Sequence, residues 1–181
     1  IRDKGMWLEA QTCALPISVT DLELHKFITS LNIHSNNKKI EVRDYQFKGV
    51  LDFLNEKRLV LLSPTSSGKS CILYIIVRYL LSHGRKKGLL LVPNTSLCHQ
   101  LASDFNDYSS HNGWDINDHI HTIFAGQDKN SNHSLYISTW QSLANIKLRN
   151  YFDQFDFVLC DEAHLAAATN LTNIVQKCVN A

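Results

Sequence analysis

The chain has 181 residues, 44% of them hydrophobic and 19% charged, enough for one globular domain with a substantial core and too little for two full α/β domains. Its 18 basic and 17 acidic residues give a formal net charge of +1, so bulk charge does not announce a nucleic-acid partner, and any such partner has to be argued from local motifs. The longest apolar run, residues 71–77, is far below a membrane span, and five cysteines without a CxxC pairing suit reduced, buried thiols in a cytosolic compartment; nine scattered histidines read as solvated loop residues rather than metal ligands.

The first stretch, residues 1–17, is set apart. Gln11-Thr-Cys-Ala-Leu-Pro-Ile17 resembles the translation of a sequencing-adapter oligonucleotide, so residues 1–17 are read as a non-native or disordered leader and given no function. From Ser18 the pattern becomes regular. Thr20 or Ser18 caps a helix carrying Leu22, Leu24, Phe27, Ile28 and Leu31, and a polar turn over residues 32–39 ends it. Arg43-Asp-Tyr-Gln46 opens a second amphipathic helix with Val50, Leu51, Phe53 and Leu54 on its apolar face.

Residues 59–62 read as a buried strand and residues 71–81 as a helix. Between them lies Ser63-Pro-Thr-Ser-Ser-Gly-Lys-Ser70, placed where a phosphate-binding loop has to sit. Backbone N–H groups from Ser66 to Ser70 then face a concavity at a helix N-terminus, where orphan donors and the helix dipole stabilise a phosphate chain. Lys69 is placed to reach the β and γ phosphates and the Ser70 hydroxyl to ligate Mg²⁺; Thr65, Ser66, Ser67 and Gly68 complete the loop. Ser63 stands where the usual pattern has its first glycine, and the alternative is a Ser-rich turn that only caps a helix.

Downstream, a basic turn Arg85-Lys86-Lys87 leads into a strand over residues 88–92, then Pro93-Asn-Thr-Ser96 and a helix through Leu97, Leu101 and Phe105. Residues 107–119 read as a loop, 121–125 and 135–138 as strands, and 155–160 as a strand ending at Asp161-Glu-Ala-His164. The β-α-β-α alternation predicts a three-layer α/β domain with a mostly parallel sheet and its site at the C-terminal edge of the strands. A bound nucleotide needs a second carboxylate site at that edge. Asp161 fits as the holder of Mg²⁺, usually through water, and Glu162 as the general base for an attacking water.

Together these stretches resemble superfamily 2 helicases of the DEAD/DEAH-like kind. Pro64-Thr-Ser-Ser-Gly-Lys-Ser70 and Asp161-Glu-Ala-His164 look like motifs I and II, Leu91-Val-Pro-Asn-Thr95 like motif Ia, Ile137-Ser-Thr-Trp-Gln-Ser-Leu143 like the "TxQSL" motif, and Arg43-Asp-Tyr-Gln46 like the "RxYQ" stretch. Within the superfamily the runs are most similar to UvsW-type helicases of tailed phages, and the resemblance covers the chain from about Ser18 onward. It implies a RecA-like P-loop fold, ATP and Mg²⁺ as cofactors, and DNA, branched or single-stranded, as partner. It further implies adenine recognition by Gln46, nucleic-acid contacts from Pro93, Asn94, Thr95, Thr139 and Trp140, and a cytoplasmic setting in a bacterial host.

The domain reading is a short helical segment over residues 18–40 and a first RecA-like domain over residues 41–181, cut after motif II. A second RecA-like domain, which the resemblance expects to supply arginine fingers and half of the DNA track, is absent from the sequence, so the chain alone is expected to bind nucleotide weakly and hydrolyse it slowly. Two other functions are weighed: the motor subunit of a restriction-type DNA translocase, and a non-catalytic DNA-binding module with a degenerate P-loop. Retained Lys69, Ser70, Asp161 and Glu162 argue against the second.

Overall fold

Helix α1 (Asp21–Leu31) follows a strand β1 (Met6–Thr12), and it starts where the sequence supplies a full capping box. The Thr20 hydroxyl accepts the Glu23 N–H at 3.3 Å while the Glu23 carboxylate accepts the Thr20 N–H at 2.9 Å, which satisfies two of the donors a helix start leaves open. These elements belong to a computed structural model that describes residues 6–12, 18–56, 58–63, 67–124, 128–144, 146, 149–161, 174 and 178. Leu24 and Leu31 of α1 are buried as expected, but Leu22 is exposed, because it lies off the face that α1 turns to the core.

Asn32 ends α1 in the left-handed conformation, and the polar turn after it is a small hairpin, β2 (His34–Ser35) with β3 (Lys38–Lys39). Asn36 and Asn37 take φ of 50° and 60°, the paired left-handed geometry of a tight hairpin turn, which Asn tolerates better than most residues. Helix α2 (Asp44–Asn55) buries Val50, Phe53 and Leu54, and its last residue ties back to the residues just before α1: the Asn55 side chain accepts from Val19 N–H and donates to Val19 O.

The remaining elements in chain order are β4 (Arg58–Ser63), α3 (Lys69–Ser82), β5 (Gly88–Val92), α4 (Thr95–Ser109), α5 (Ile116–His119), β6 (Ile120–Ile123), β7 (Leu135–Thr139), α6 (Trp140–Ala144), α7 (Arg149–Phe152) and β8 (Phe157–Asp161). The predicted α/β class and mostly parallel sheet hold. The six-stranded sheet runs β4-β1-β8-β5-β7-β6, and β8, β5, β7 and β6 are mutually parallel. Strand β1 lies antiparallel between β4 and β8. The sequence reading leaves residues 1–17 outside the fold; in the structure residues 6–12 of that leader are a strand of the sheet. Helix α4 also runs to Ser109 and α5 follows it, inside residues read as loop.

Along β5 the side chains alternate between two cores. Leu90 and Val92 pack with α1 to α4 on one face, and Leu89 and Leu91 pack with Trp140, Leu143, Tyr151 and Phe152 on the other, so helices cover both faces as a parallel sheet requires. At the strand start, a Cβ on Gly88 would lie 2.1 Å from Phe157 Cζ, and the fully buried Phe157 ring has no room to withdraw. The β5–β8 register therefore depends on a missing side chain, and this pairing sets Val92 and Asp161 at neighbouring strand ends. Among the described residues no helix is long and apolar enough to cross a membrane.

Candidate functional site

The site begins where β4 gives way to α3. Gly68 is the N-cap of α3 with φ 74°, a conformation that costs glycine nothing. It is required there a second time, because a Cβ would fall 2.4 Å from the Gln46 amide nitrogen. The Gly68 carbonyl accepts from Cys71 and Ile72 N–H, so the helix closes immediately, and the first amides of α3, at Lys69 and Ser70, precede any i−4 carbonyl within it. That is the local geometry on which phosphates are held.

Two residues of α2 brace this turn. Gln46 is buried, its Nε2 donates to Ser67 O at 3.0 Å and Gly68 O at 3.4 Å, and its Oε1 accepts from Arg43 N–H at 3.0 Å. The amide donors are thus spent on loop carbonyls, and one acceptor lone pair remains. Reading both adenine N6 and N7 would require Gln46 to release a loop carbonyl. Tyr45 donates to Ser67 O at 2.6 Å and was not singled out from the sequence, although it stands inside the Arg43-Asp-Tyr-Gln46 run.

Lys69 is buried at 8% exposure and Asp161, at the end of β8, at 7%. Two groups of opposite charge are thus placed on a helix start and a strand end at one edge of the sheet. One strand, β1, separates β4 from β8, so Leu61 and Asp161, both paired with Leu8, stand about 10 Å apart across the sheet. Thr65, Ser66 and Glu162 lie outside the described residues, as does His164.

The Ser70 hydroxyl is engaged by a helix the sequence did not implicate. It hydrogen-bonds Tyr108 Oη at 2.8 Å, and it acts on the Asp104 carboxyl, both from α4. Burial pushes the Tyr108 phenol up to about 12, and the bond to Ser70 pulls it back in part. Burial likewise raises Asp104 above the ordinary carboxylate range, opposed by the Ser70 hydroxyl. Asp104 and Tyr108 sit one turn apart and meet Ser70 only through packing of α4 on α3, so no short-range signal could have found them. A hydroxyl at Ser70 and a carboxylate at Asp161 are hard oxygen donors of the kind Mg²⁺ takes in small number, leaving positions for phosphate and water. Among the described residues no group of three or more His, Cys, Asp or Glu forms a separate metal cage. The donor set fits Mg²⁺.

At the same edge, Val92 pairs with Thr139, which brings Pro93, Asn94 and Thr95 beside Thr139 and Trp140. Asn94 caps α4, its side chain accepting from Leu97 N–H at 2.9 Å, and Asn94 and Thr95 are exposed. Gln141 Nε2 donates to Pro93 O at 3.2 Å and ties the two stretches together. Thr139 is buried, its hydroxyl bonding Ser142 Oγ at 2.8 Å, and Trp140 is packed into the second core. Of the five expected nucleic-acid residues, the structure exposes Asn94 and Thr95, half-exposes Pro93, and gives Thr139 and Trp140 structural work.

Residues 39–181 match the family described as "Type III restriction enzyme, res subunit". The chain is 33% identical over 159 residues to the ATP-dependent DNA helicase UvsW of Enterobacteria phage T4, covering 84% of this chain and 30% of that protein. A crystal structure of the UvsW helicase from bacteriophage T4 superposes with TM-score 0.82 at 30% identity, over 91% of this chain and 58% of the other. A second crystal structure of T4 UvsW gives TM-score 0.79 at 29% identity, over 92% and 33%. The chain spans about a third of the length of the curated relative it matches.

Proposed function

The chain belongs to the family described by the res subunit of type III restriction enzymes and has the fold of the first motor domain of UvsW-type superfamily 2 helicases, and from that premise we propose that it is the ATP-binding half of an ATP-dependent DNA helicase. The observation that carries the reading is the convergence at one sheet edge of the Gly68-Lys69-Ser70 helix start, buried Asp161 and the exposed Asn94-Thr95 turn.

In this reading the α3 N-terminus binds the phosphate chain through backbone N–H groups, and Lys69 donates to the β and γ phosphates. Gln46 orients the loop and takes up the adenine edge when it exchanges a loop carbonyl for the base. Ser70 and Asp161 would hold Mg²⁺, which when bound neutralises charge on the transferring phosphate. Glu162 accepts the proton of the attacking water. Ser70 has to turn from Tyr108 and Asp104 to meet the metal, so α4, whose first turn carries the DNA contacts, bears directly on the nucleotide site. Branched or single-stranded DNA as substrate, unwinding or annealing in recombination and repair, and action in the cytoplasm of a phage-infected bacterium complete the proposal. The family match also fits the motor of a restriction-type DNA translocase, which would use the same residues for the same nucleotide chemistry.

The DNA half of the reading is tested at Thr95. Thr95→Glu puts a carboxylate in the first turn of α4, where the helix dipole favours it, so the fold should be kept or slightly stabilised. Anisotropy of a labelled oligonucleotide titrated with the chain is expected to show affinity down about tenfold or more, since a phosphate contact becomes a repulsion. Unchanged affinity in a folded Thr95→Glu chain would remove this edge from the DNA path.

A further inference from the structure

The strands that present the nucleotide edge begin, about 16 Å away along a five-residue β5, at a second cleft. It has a volume of about 360 Å³ and is lined by the end of α3, the turn into β5, the loop before α5, the last residue of α5 and the residue before β7. Its chemistry comes from Arg78, Arg85, Lys86, Trp114, His119 and Ser134, with three fixed cations and no carboxylate among the lining residues.

Arg78 is the informative residue. It is a lone cation in an otherwise apolar stretch of α3 and is only partly exposed. Its guanidinium carbon lies 4.8 Å from the Trp114 ring centroid, and His119 stacks on the same indole at 4.7 Å with a 7° interplanar angle. Its hydrogen bonds, to Tyr74 Oη and Asn112 Oδ1, both leave from Nη1. Among the described residues it has no carboxylate partner, and burial holds its pKa below the usual value. A desolvated guanidinium with its fork partly unused, steadied by an aromatic face, is built to take an anion bidentately.

The neighbouring charges narrow the ligand. Lys87 does not line the cleft, and its Nζ bonds Ser131 O, Tyr136 Oη and Gln154 Oε1. Asp156 accepts from the Lys86 and Lys87 backbone N–H groups and so shapes the turn that presents Lys86 outward. Asp118 and Asp115 act electrostatically on His119, and neither lines the cleft. Cations from two elements around an open cleft suit a phosphate on an extended chain better than a compact carboxylate.

We propose that this cleft is a second anchoring site for nucleic acid, in which Arg78, Arg85 and Lys86 hold a backbone phosphate of a strand passing the edge of the sheet opposite the nucleotide. The choice of a nucleic-acid phosphate over a free one rests on the reading of the chain as a DNA motor.

Indole N–H resonances test it, since Trp114 lies in the cleft and Trp140 at the opposite edge. With the 181-residue chain and a 20-nucleotide oligothymidylate, the Trp114 resonance is expected to shift saturably. Arg85→Glu with Lys86→Glu should abolish that shift, weaken the oligonucleotide about tenfold and lower the salt slope by about one to two. Lys86→Glu alone, at an exposed position, should give a smaller loss in the same direction and guards against a folding defect in the double variant. A Trp140 shift with Trp114 unmoved would overturn the cleft while leaving the DNA reading intact. Movement of neither resonance, together with no rise in the anisotropy of the labelled oligonucleotide, would overturn both. A Trp114 shift with tripolyphosphate but not with the oligonucleotide would assign the cleft to a free anion and overturn the nucleic-acid proposal.

Discussion

Lys69→Ala is expected to weaken ATP about 10²- to 10³-fold and so abolish saturable binding at micromolar concentrations. Lys69 opens α3 as a buried cation directly after the left-handed Gly68, at the helix start proposed to hold the phosphates. Removing one partner of a desolvated charge contact costs about 3–4 kcal/mol, which is that factor in Kd. Alanine is the best helix former, so the α3 start survives and the loss is one of binding, not of fold. Isothermal titration with ATP and Mg²⁺ measures it; an unchanged Kd would mean that the phosphates sit elsewhere.

Asp161→Asn is expected to separate metal from nucleotide. The substitution keeps shape and removes charge at a buried strand end, so the sheet is retained while the hard-cation site loses its anionic oxygen. Disturbing metal-site groups typically costs 10- to 100-fold in metal affinity. The Mg²⁺ concentration for half-maximal stimulation of nucleotide binding should therefore rise by about that factor, and binding of ATP in the absence of metal should change little. Equal loss with and without Mg²⁺ would place Asp161 in loop support instead.

Much of this architecture was legible because its elements carry dense local signals. The apolar runs that become β5 and β8 end in polar turns, and Gly68-Lys69-Ser70 between a strand and a helix fixes where a phosphate loop can lie. The Thr20 and Asn94 caps were readable from residue type alone. The hairpin at Asn36-Asn37 was missed although its turn chemistry was present, since two-residue strands leave no periodicity to detect. Strand β1 was missed because residues 1–17 were set aside on the likeness of residues 11–17 to an adapter translation, although residues 6–12 pair with β4 and β8. The contacts of Ser70 with Asp104 and Tyr108, and the cleft that gathers Arg78, Arg85 and Trp114, are products of helix packing across long sequence separations. Arg78 stands as a cation inside an apolar helix, a signal that the sequence reading did not use.

If Gly68 to Ser70 and Asp161 form one ATP·Mg²⁺ site, titration of the folded 181-residue chain with a fluorescent ATP analogue, with and without Mg²⁺, will show saturable binding that Mg²⁺ strengthens and that excess ATP displaces. A chain shown to be folded by circular dichroism that binds no analogue under either condition would contradict such a site.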